Sequence, residues 1–242
     1  MADQWMTSLR LSTSAEEFQR LPRHPSYRYR YEGGVGAILP APRFGHACLD
    51  LPRFCRPGPL PDCPGVLRPL EGGDWESLPL LFAQAFAHQQ PYAGLQANTR
   101  EVAARETLHW VRTGGEGPLI ERACLVAHTQ DRGKLLGATL LTLLPLDDPT
   151  DQASYYWRAT PPADAVGQQL GRPHLTWIFV SPYLGGHGIG SALLHASARI
   201  LLEMGFTELF STFLIGNDSS MLWHWRRGFQ LLPEPRIYRN LR

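Results

Sequence analysis

The 242-residue sequence predicts a mixed α/β domain with a mixed sheet, preceded by an N-terminal extension that contains a β-hairpin. Three observations carry this. From Val66 onward, strand-like runs alternate with runs of helical period. A glycine-rich turn, Tyr183 to Gly190, lies between one such strand and the next helix. Prolines crowd the start of the chain: nine of 21 precede Val66, where an even spread, 65/242 × 21, would place roughly six. The organisation read from these is a proline-rich extension over 1–65 and an α/β domain over 66–242. At a typical ~150 residues per domain the length corresponds to about 1.6 domains, which fits one domain and an appendage.

In the extension, Tyr27-Arg28-Tyr29-Arg30-Tyr31 alternates with period two, Gly33-Gly34 offers a turn, and Val35 to Leu39 returns as a second strand. Pro52 to Gly65 reads as a stiff connector. In the domain, Val66 to Leu70 is a short strand. Asp74 is the expected cap of a helix carrying Leu78, Leu81, Phe82, Ala85 and Phe86, and Thr99 caps a second helix running to Val111. Ala123 to His128 and Lys134 to Leu144 are strands joined by a turn that ends at Gly133. The polar stretch Asp147 to Pro173, with its aromatic island Tyr155-Tyr156-Trp157, is longer than ordinary connections. His174 to Val180 is the strand before the glycine-rich turn. Ile189, Leu193, Ser197, Ile200 and Met204 share one face of the following helix, which Gly205 stops. Leu209 to Ile215 is the next strand, and Asn217 caps a last helix that ends at Gly228 with Arg226 and Arg227 in its final turn. Phe229 to Leu232 and Arg236 to Tyr238 are expected to close the sheet as a hairpin.

Composition narrows the function. With 23 basic against 22 acidic residues, no overall field draws the chain to nucleic acid or to an anionic membrane. No apolar run reaches the ~20 residues that span a bilayer, and the polar first residues do not read as a signal for export, so a cytoplasmic protein with reduced thiols is expected. His46, Cys48, Cys55 and Cys63 form a loose cluster without the tight spacing of a zinc site, so no metal is assigned. Lys134 is the only lysine, which leaves one position for any chemistry that needs one.

The glycine-rich turn is built for an anion. Its glycines let successive N–H groups converge, and the dipole of the following helix adds positive charge, as a pyrophosphate requires. A P-loop would end in Gly-Lys-Ser/Thr, but Ser191 and Ala192 follow Gly190. A dinucleotide fingerprint would use Gly186 and Gly188 with Ser191 in place of the third glycine, and fewer than sixty residues remain for the rest of its sheet. Glycines serving a tight turn alone would need fewer than four in six residues.

The run Val180-Ser181-Pro182-Tyr183-Leu184-Gly185-Gly186-His187-Gly188-Ile189-Gly190-Ser191 resembles the acetyl-CoA signature of the GNAT acetyltransferase superfamily, Val-x-Pro followed by Arg/Gln-x-x-Gly-x-Gly/Ala. A second family motif is matched by Asn217, by Ser220 at a position usually Ala, and by Gly228-Phe229 in register. The resemblance covers roughly 175 residues and implies a GNAT-like fold with acetyl-CoA as co-substrate. It implies that a backbone N–H near Phe179 or Val180 polarises the thioester carbonyl. It also implies that Gly185, Gly186, His187, Gly188, Ile189, Gly190, Ser191, Asn217 and Ser220 form the acetyl-CoA site. Gly185 stands where Arg or Gln is usual, a loss that His187, Arg226 or Arg227 could offset.

His224 occupies the position of the usual catalytic tyrosine. As an imidazolium of reference pKa ~6.5 it is a stronger acid than a phenol near ~10, so it is a candidate donor to the departing thiolate; between Trp223 and Trp225 it also reads as a packed ring. His174 resembles in position a histidine that arylalkylamine-type members place near the acceptor amine, which makes it the candidate base, set against a surface histidine at a strand entry, with Thr176 as a weaker polar candidate. Glu101, Glu106, Tyr92 and Tyr156 are candidates for the acceptor side. The expected activity is N-acetyl transfer from acetyl-CoA to a primary amine of a small molecule or protein by direct attack. The partners expected are this acceptor amine and, as an open option, a second copy in a homodimer, without membrane or nucleic acid. A non-catalytic acyl-CoA-binding module is the alternative, and an RNA-linked protein using the Tyr/Arg hairpin is a third reading.

Overall fold

The computed structural model describes residues 9–23, 27–41, 43–56, 62–89, 92–131, 133–147 and 156–233. The hairpin expected near the start is present. Strand β2 (Tyr27–Glu32) turns through Gly33-Gly34 into β3 (Val35–Pro40), and β1 (Leu9–Ser12) adds antiparallel to the far side of β3. Because side chains alternate across a strand, Leu9, Leu11, Tyr27, Tyr29, Tyr31 and Ile38 share one face. The buried ring of Phe18, from helix α1 (Ala15–Arg20), packs there against Tyr29 and Tyr31.

The second sheet has seven strands and carries the core. Its order is β10 (Gln230–Leu231), β4 (Phe44–Asp50), β9 (Glu208–Leu214), β8 (Arg172–Val180), β7 (Leu135–Leu144), β6 (Leu125–His128) and β5 (Val66–Pro69). All neighbours are antiparallel except β8 and β9, which run parallel with helix α5 (Ile189–Glu203) as their crossover. The mixed α/β sheet read from the sequence is therefore the architecture observed. Strand β7 is apolar and buried almost throughout, as expected of a strand covered on both faces. Helix α5 packs on one face. Helices α3 (Asp74–Ala85) and α4 (Ala97–Arg112) bury Leu78, Phe82, Leu108 and Val111 in the main core.

Several local expectations shift. Asp74 is the first helical residue and not the cap, which is Gly73; its carboxylate instead takes two 2.7 Å bonds from Arg68 and one from the Glu71 N–H. Helix α4 begins at Ala97 after Gln96, two residues before the expected cap Thr99. Residues Glu121–Ala123 form a 3-10 turn, so β6 starts at Leu125. The anticipated C-terminal hairpin takes another form. Gln230–Leu231 pairs with Ala47 and Cys48 of β4, and Arg236 to Tyr238 lie outside the described residues, as do Tyr155 and 57–61 of the connector.

Strand β4 is the largest surprise. Residues 44–50, within the stretch read as extension, lie between β9 and β10 in the large sheet, paired with β9 along its whole length from Phe44↔Leu214 to Asp50↔Glu208. Helix α2 (Leu51–Phe54), capped by the Asp50 side chain, buries Leu51 and packs on α5. The large sheet thus draws on chain that precedes Val66.

Candidate active site

The site is built where β8 and β9 part. They pair only at His174↔Phe210 and Leu175↔Ser211 among the described residues. The cause lies in their other neighbours. On its far side β8 stays registered to β7 from Arg172 to Val180, with a bulge that leaves Thr176 opposite no residue of β7. On its far side β9 stays registered to β4 as far as Leu214. A bulge bends and twists the strand that carries it, so each strand follows its outer partner and a fork opens beyond Leu175 and Ser211. Backbone N–H and C=O groups of β8 that face this gap have no β9 partner among the described residues.

The glycine-rich turn closes the wide end of the fork. A short 3-10 turn, Pro182–Leu184, leads into it, and Gly186 (φ +81°) and Gly188 (φ +83°) adopt the left-handed region that other residues avoid. Gly188 is the N-cap of α5, so the N–H groups of Gly188, Ile189, Gly190 and Ser191 have no partner within the helix. A side chain at Gly188 would strike the Asp62 carbonyl, and one at Gly137 would lie 3.1 Å from Ile189 and 3.2 Å from Leu193, so the end of α5 sits hard against the sheet. The N–H of His187 is committed, weakly, to Leu184 O at 3.4 Å, and its ring donates Nδ1–H to the Gly185 carbonyl. It is therefore a poorer anion donor than the sequence suggested. Ile189 is buried and contributes only its N–H; Phe179 is buried in a ring cluster with Phe82 and Phe86, while Val180 lines the end of β8.

One side chain reaches the turn from a different element. Arg227, at the end of α6 (Asp218–Arg226), reaches across to donate from Nη1 to Ser191 Oγ at 2.8 Å, and its Nε is buried without a partner. A guanidinium beside the free N–H groups of α5 adds positive charge that suits a polyanionic ligand. Asn217 and Ser220 meet at the start of α6. The Asn217 Oδ1 accepts the Ser220 N–H at 3.0 Å as the N-cap of α6, and Ser220 turns its carbonyl to His224.

The two histidines lie on opposite faces of the sheet, because the residues they touch, Ser211 and Thr212, are consecutive in β9. His224 is 5% exposed, with Nδ1 2.7 Å from the Ser220 carbonyl and Nε2 2.8 Å from Ser211 Oγ, among the rings of Phe213, Trp223 and Phe229. Burial pushes its pKa below the usual value, against the opposing effect of the Ser220 bond. His174 is also buried and is no surface residue. Its nitrogens lie 3.2 Å from the hydroxyls of Thr176 and Thr212, and Thr176 continues to Thr142 at 2.8 Å. Burial, then Arg172, His46 and His224, drive its pKa down to about 3, which makes it a neutral and weak base.

Of the acceptor-side candidates, Tyr92 is buried against Trp177 and Phe82 with its hydroxyl on Thr107, and Glu101 is spent on Arg105. Glu106 and Tyr156 are exposed. Sequence reading missed Ser211. The available signal was a serine between Leu209 and Phe213 on the buried side of β9, where a packed strand has no need of a hydroxyl. All four cysteines are free, and among the described residues no group of three His, Cys, Asp or Glu could hold a metal. Among them, too, no helix is long and apolar enough to cross a membrane.

No protein-family model matches the sequence, and no curated protein matches it. Solved structures are similar to it. The PaiA N-acetyltransferase of Thermoplasma acidophilum, in complex with coenzyme A, is 18% identical over 71% of this chain and 92% of its own, with a TM-score of 0.49. A GCN5-related N-acetyltransferase of Sphaerobacter thermophilus is 15% identical over 93% of this chain but only 56% of its own, also at 0.49. A GNAT family acetyltransferase of Brucella melitensis, in complex with acetyl-CoA, is 19% identical over 70% of this chain and 90% of its own, at 0.43. At these values they assign no function, which rests on the residues of this chain.

Proposed function

We propose that this protein is a GNAT-type acyltransferase that moves the acetyl group of acetyl-CoA to a primary amine of a small molecule or protein. The observation that carries the reading is the meeting of two features at one point: a fork between parallel strands β8 and β9, and an anion nest at the N-terminus of the helix that joins them. A pyrophosphate takes the N–H groups of Gly186, Gly188, Ile189, Gly190 and Ser191 with Arg227 beside them. The pantetheine arm runs into the fork, where unpaired N–H groups of β8 near Phe179 and Val180 polarise the thioester carbonyl. The amine approaches from the face of His174; with a pKa of about 3 this ring does not hold the proton that the nitrogen loses, and its part is limited to relaying it between the hydroxyls of Thr176 and Thr212.

His224 as an acid is not favoured by its surroundings. A buried ring of lowered pKa is neutral near pH 7, and its Nδ1 proton is engaged by Ser220. The test is a turnover screen with acetyl-CoA across polyamines, amino acids, aminoglycosides, arylalkylamines and peptide N-termini, with calorimetry of acetyl-CoA alongside. Binding with amine-dependent release of CoA is expected. Tight binding with no amine accelerating thioester cleavage would leave a binding module in place of an enzyme.

A further inference from the structure

The Tyr/Arg hairpin is a motif that the acyl-CoA site leaves unused, and the fold sorts its two residue types onto opposite faces. Tyr27, Tyr29 and Tyr31 share the side on which Phe18 of α1 packs. The other side of the same small sheet carries Arg10 of β1, Arg28 and Arg30 of β2, and Val35, Ala37 and Leu39 of the central strand β3. Strand pairing fixes their layout. Arg10 and Arg30 flank Ala37 from its two sides, and Arg28 stands opposite Leu39. With neighbouring strands ~4.8 Å apart, the two arginine rows are roughly 10 Å apart, and Arg28 lies roughly 7 Å from Arg30 along β2. The result is an aliphatic floor between two basic walls. All three arginines are exposed, and none has an ion pair or hydrogen bond among the described residues. Their neighbours differ: Arg20 is spent on Glu16, and Arg23 lies over the rings of Phe18 and Tyr29. The acid on the basic face is Glu32, at the turn end opposite Val35. In a chain whose net charge is only +1, this face is a local excess of cations.

We propose that this face is a docking surface for an acidic amphipathic helix of a partner protein. An α-helix with its side chains is about 10–12 Å across, which matches the interval between the arginine rows. Laid along β3, such a helix seats its apolar stripe on Val35, Ala37 and Leu39. Acidic residues on the two flanks of that stripe then meet Arg10 on one side and Arg28 and Arg30 on the other. Carboxylates one turn apart are about 6 Å apart along the helix, close to the spacing of Arg28 and Arg30, and the planar guanidinium takes a carboxylate through two parallel bonds. Glu32 repels acid at the turn end, so the contact centres on the Ala37 and Leu39 rungs. Single-stranded RNA is served less well. It is held by stacking its bases on aromatic rings, and the tyrosines of this sheet lie on the opposite face, beside Phe18.

The test is fluorescence anisotropy on the full chain with a labelled peptide, Glu-Leu-Glu-Glu-Leu-Leu-Glu written twice. The peptide should bind, and its affinity should fall as salt rises from about 50 to about 300 mM. Arg10→Gln, Arg28→Gln and Arg30→Gln together should weaken binding by roughly 3- to 150-fold, the sum of three exposed ion pairs. Because these side chains are exposed, the triple variant should keep the wild-type fold by circular dichroism. Leu39→Ser, in the floor, should also weaken binding. Arg20→Gln, on α1, should leave it unchanged. The same peptide with Lys in place of Glu should not bind. No binding of the acidic peptide at about 1 mM, or equal binding of its lysine version, overturns the proposal. Wild-type affinity in the triple variant overturns it too, and would leave the arginines as guards of the sheet edges against aggregation. Labelled oligouridylate bound more tightly than the peptide, and released by the triple substitution, overturns it in favour of nucleic acid.

Discussion

Replacing Arg227 by Met removes a charge from the anion nest and keeps much of the apolar stem. The guanidinium holds Ser191, the third residue of α5, at 2.8 Å and has one buried donor, Nε, without a partner. A hydrogen bond to a charged group contributes about 1.5–3 kcal/mol. At about 1.4 kcal/mol per tenfold, Arg227→Met should weaken acetyl-CoA by about 10- to 150-fold. Calorimetry with acetyl-CoA measures this directly, and acetyl-pantetheine, which lacks the pyrophosphate, is the control, with an affinity that should not change. Ser191→Ala, which frees the guanidinium but keeps its charge, should have a smaller effect. Equal affinity of Arg227→Met and wild type for acetyl-CoA would refute the placement of the pyrophosphate beside α6. Equal losses for both donors would show that the substitution disturbs the fork and not the nest.

Three further outcomes are expected. Gly188→Glu should abolish the heat of acetyl-CoA binding, since the side chain meets the Asp62 carbonyl, forces a left-handed φ and brings a negative charge to the nest; Gly188→Ala, without the charge, should lower Tm by a few degrees, from about 1–2 kcal/mol of backbone strain plus that collision. Asp74→Ala should destabilise the fold by about 1.5–3 kcal/mol in denaturant titrations, because it removes the two-pronged partner of Arg68 and leaves it the Pro69 carbonyl and the more distant Glu71. Burial opposes ionisation of Asp74, but the Arg68 bonds and the Glu71 N–H outweigh it and lower its pKa; its contribution is full above the unfolded value near ~4 and is lost as pH falls through the lower folded value. For His174 the folded pKa of about 3 lies below the unfolded ~6.5, so only the unfolded chain gains that proton between the two values. Stability should fall on acidification across this window by about 1.4 kcal/mol per pH unit from this ring, a slope that His174→Gln should reduce.

What could be read along the chain was what is local. Periodicity placed the hairpin, α5 and the strands to within a few residues, because alternation and the 3.6-residue repeat report which side of an element is buried. The glycine-rich turn was legible for the same reason, since positive φ at Gly186 and Gly188 is a demand on the residues themselves. Asp74 misled because a carboxylate before an apolar run caps a helix only when no better donor is near, and Arg68 lies across from it. The histidines were visible, but not their states. Both are buried, and burial decides whether an imidazole is an acid or a base.

The sequence alone determined a mixed α/β chain with a glycine-rich turn at the start of one helix, through short-range patterns and backbone chemistry. Only the tertiary structure decided that residues 44–50 lie beside β9, that this pairing and the registry of β8 with β7 together hold the fork open, and that Arg227 reaches Ser191 at the start of α5. It alone set Ser211 against His224. These are contacts between segments separated by 13 to more than 160 residues, and no local pattern records which distant strand or side chain a residue will meet.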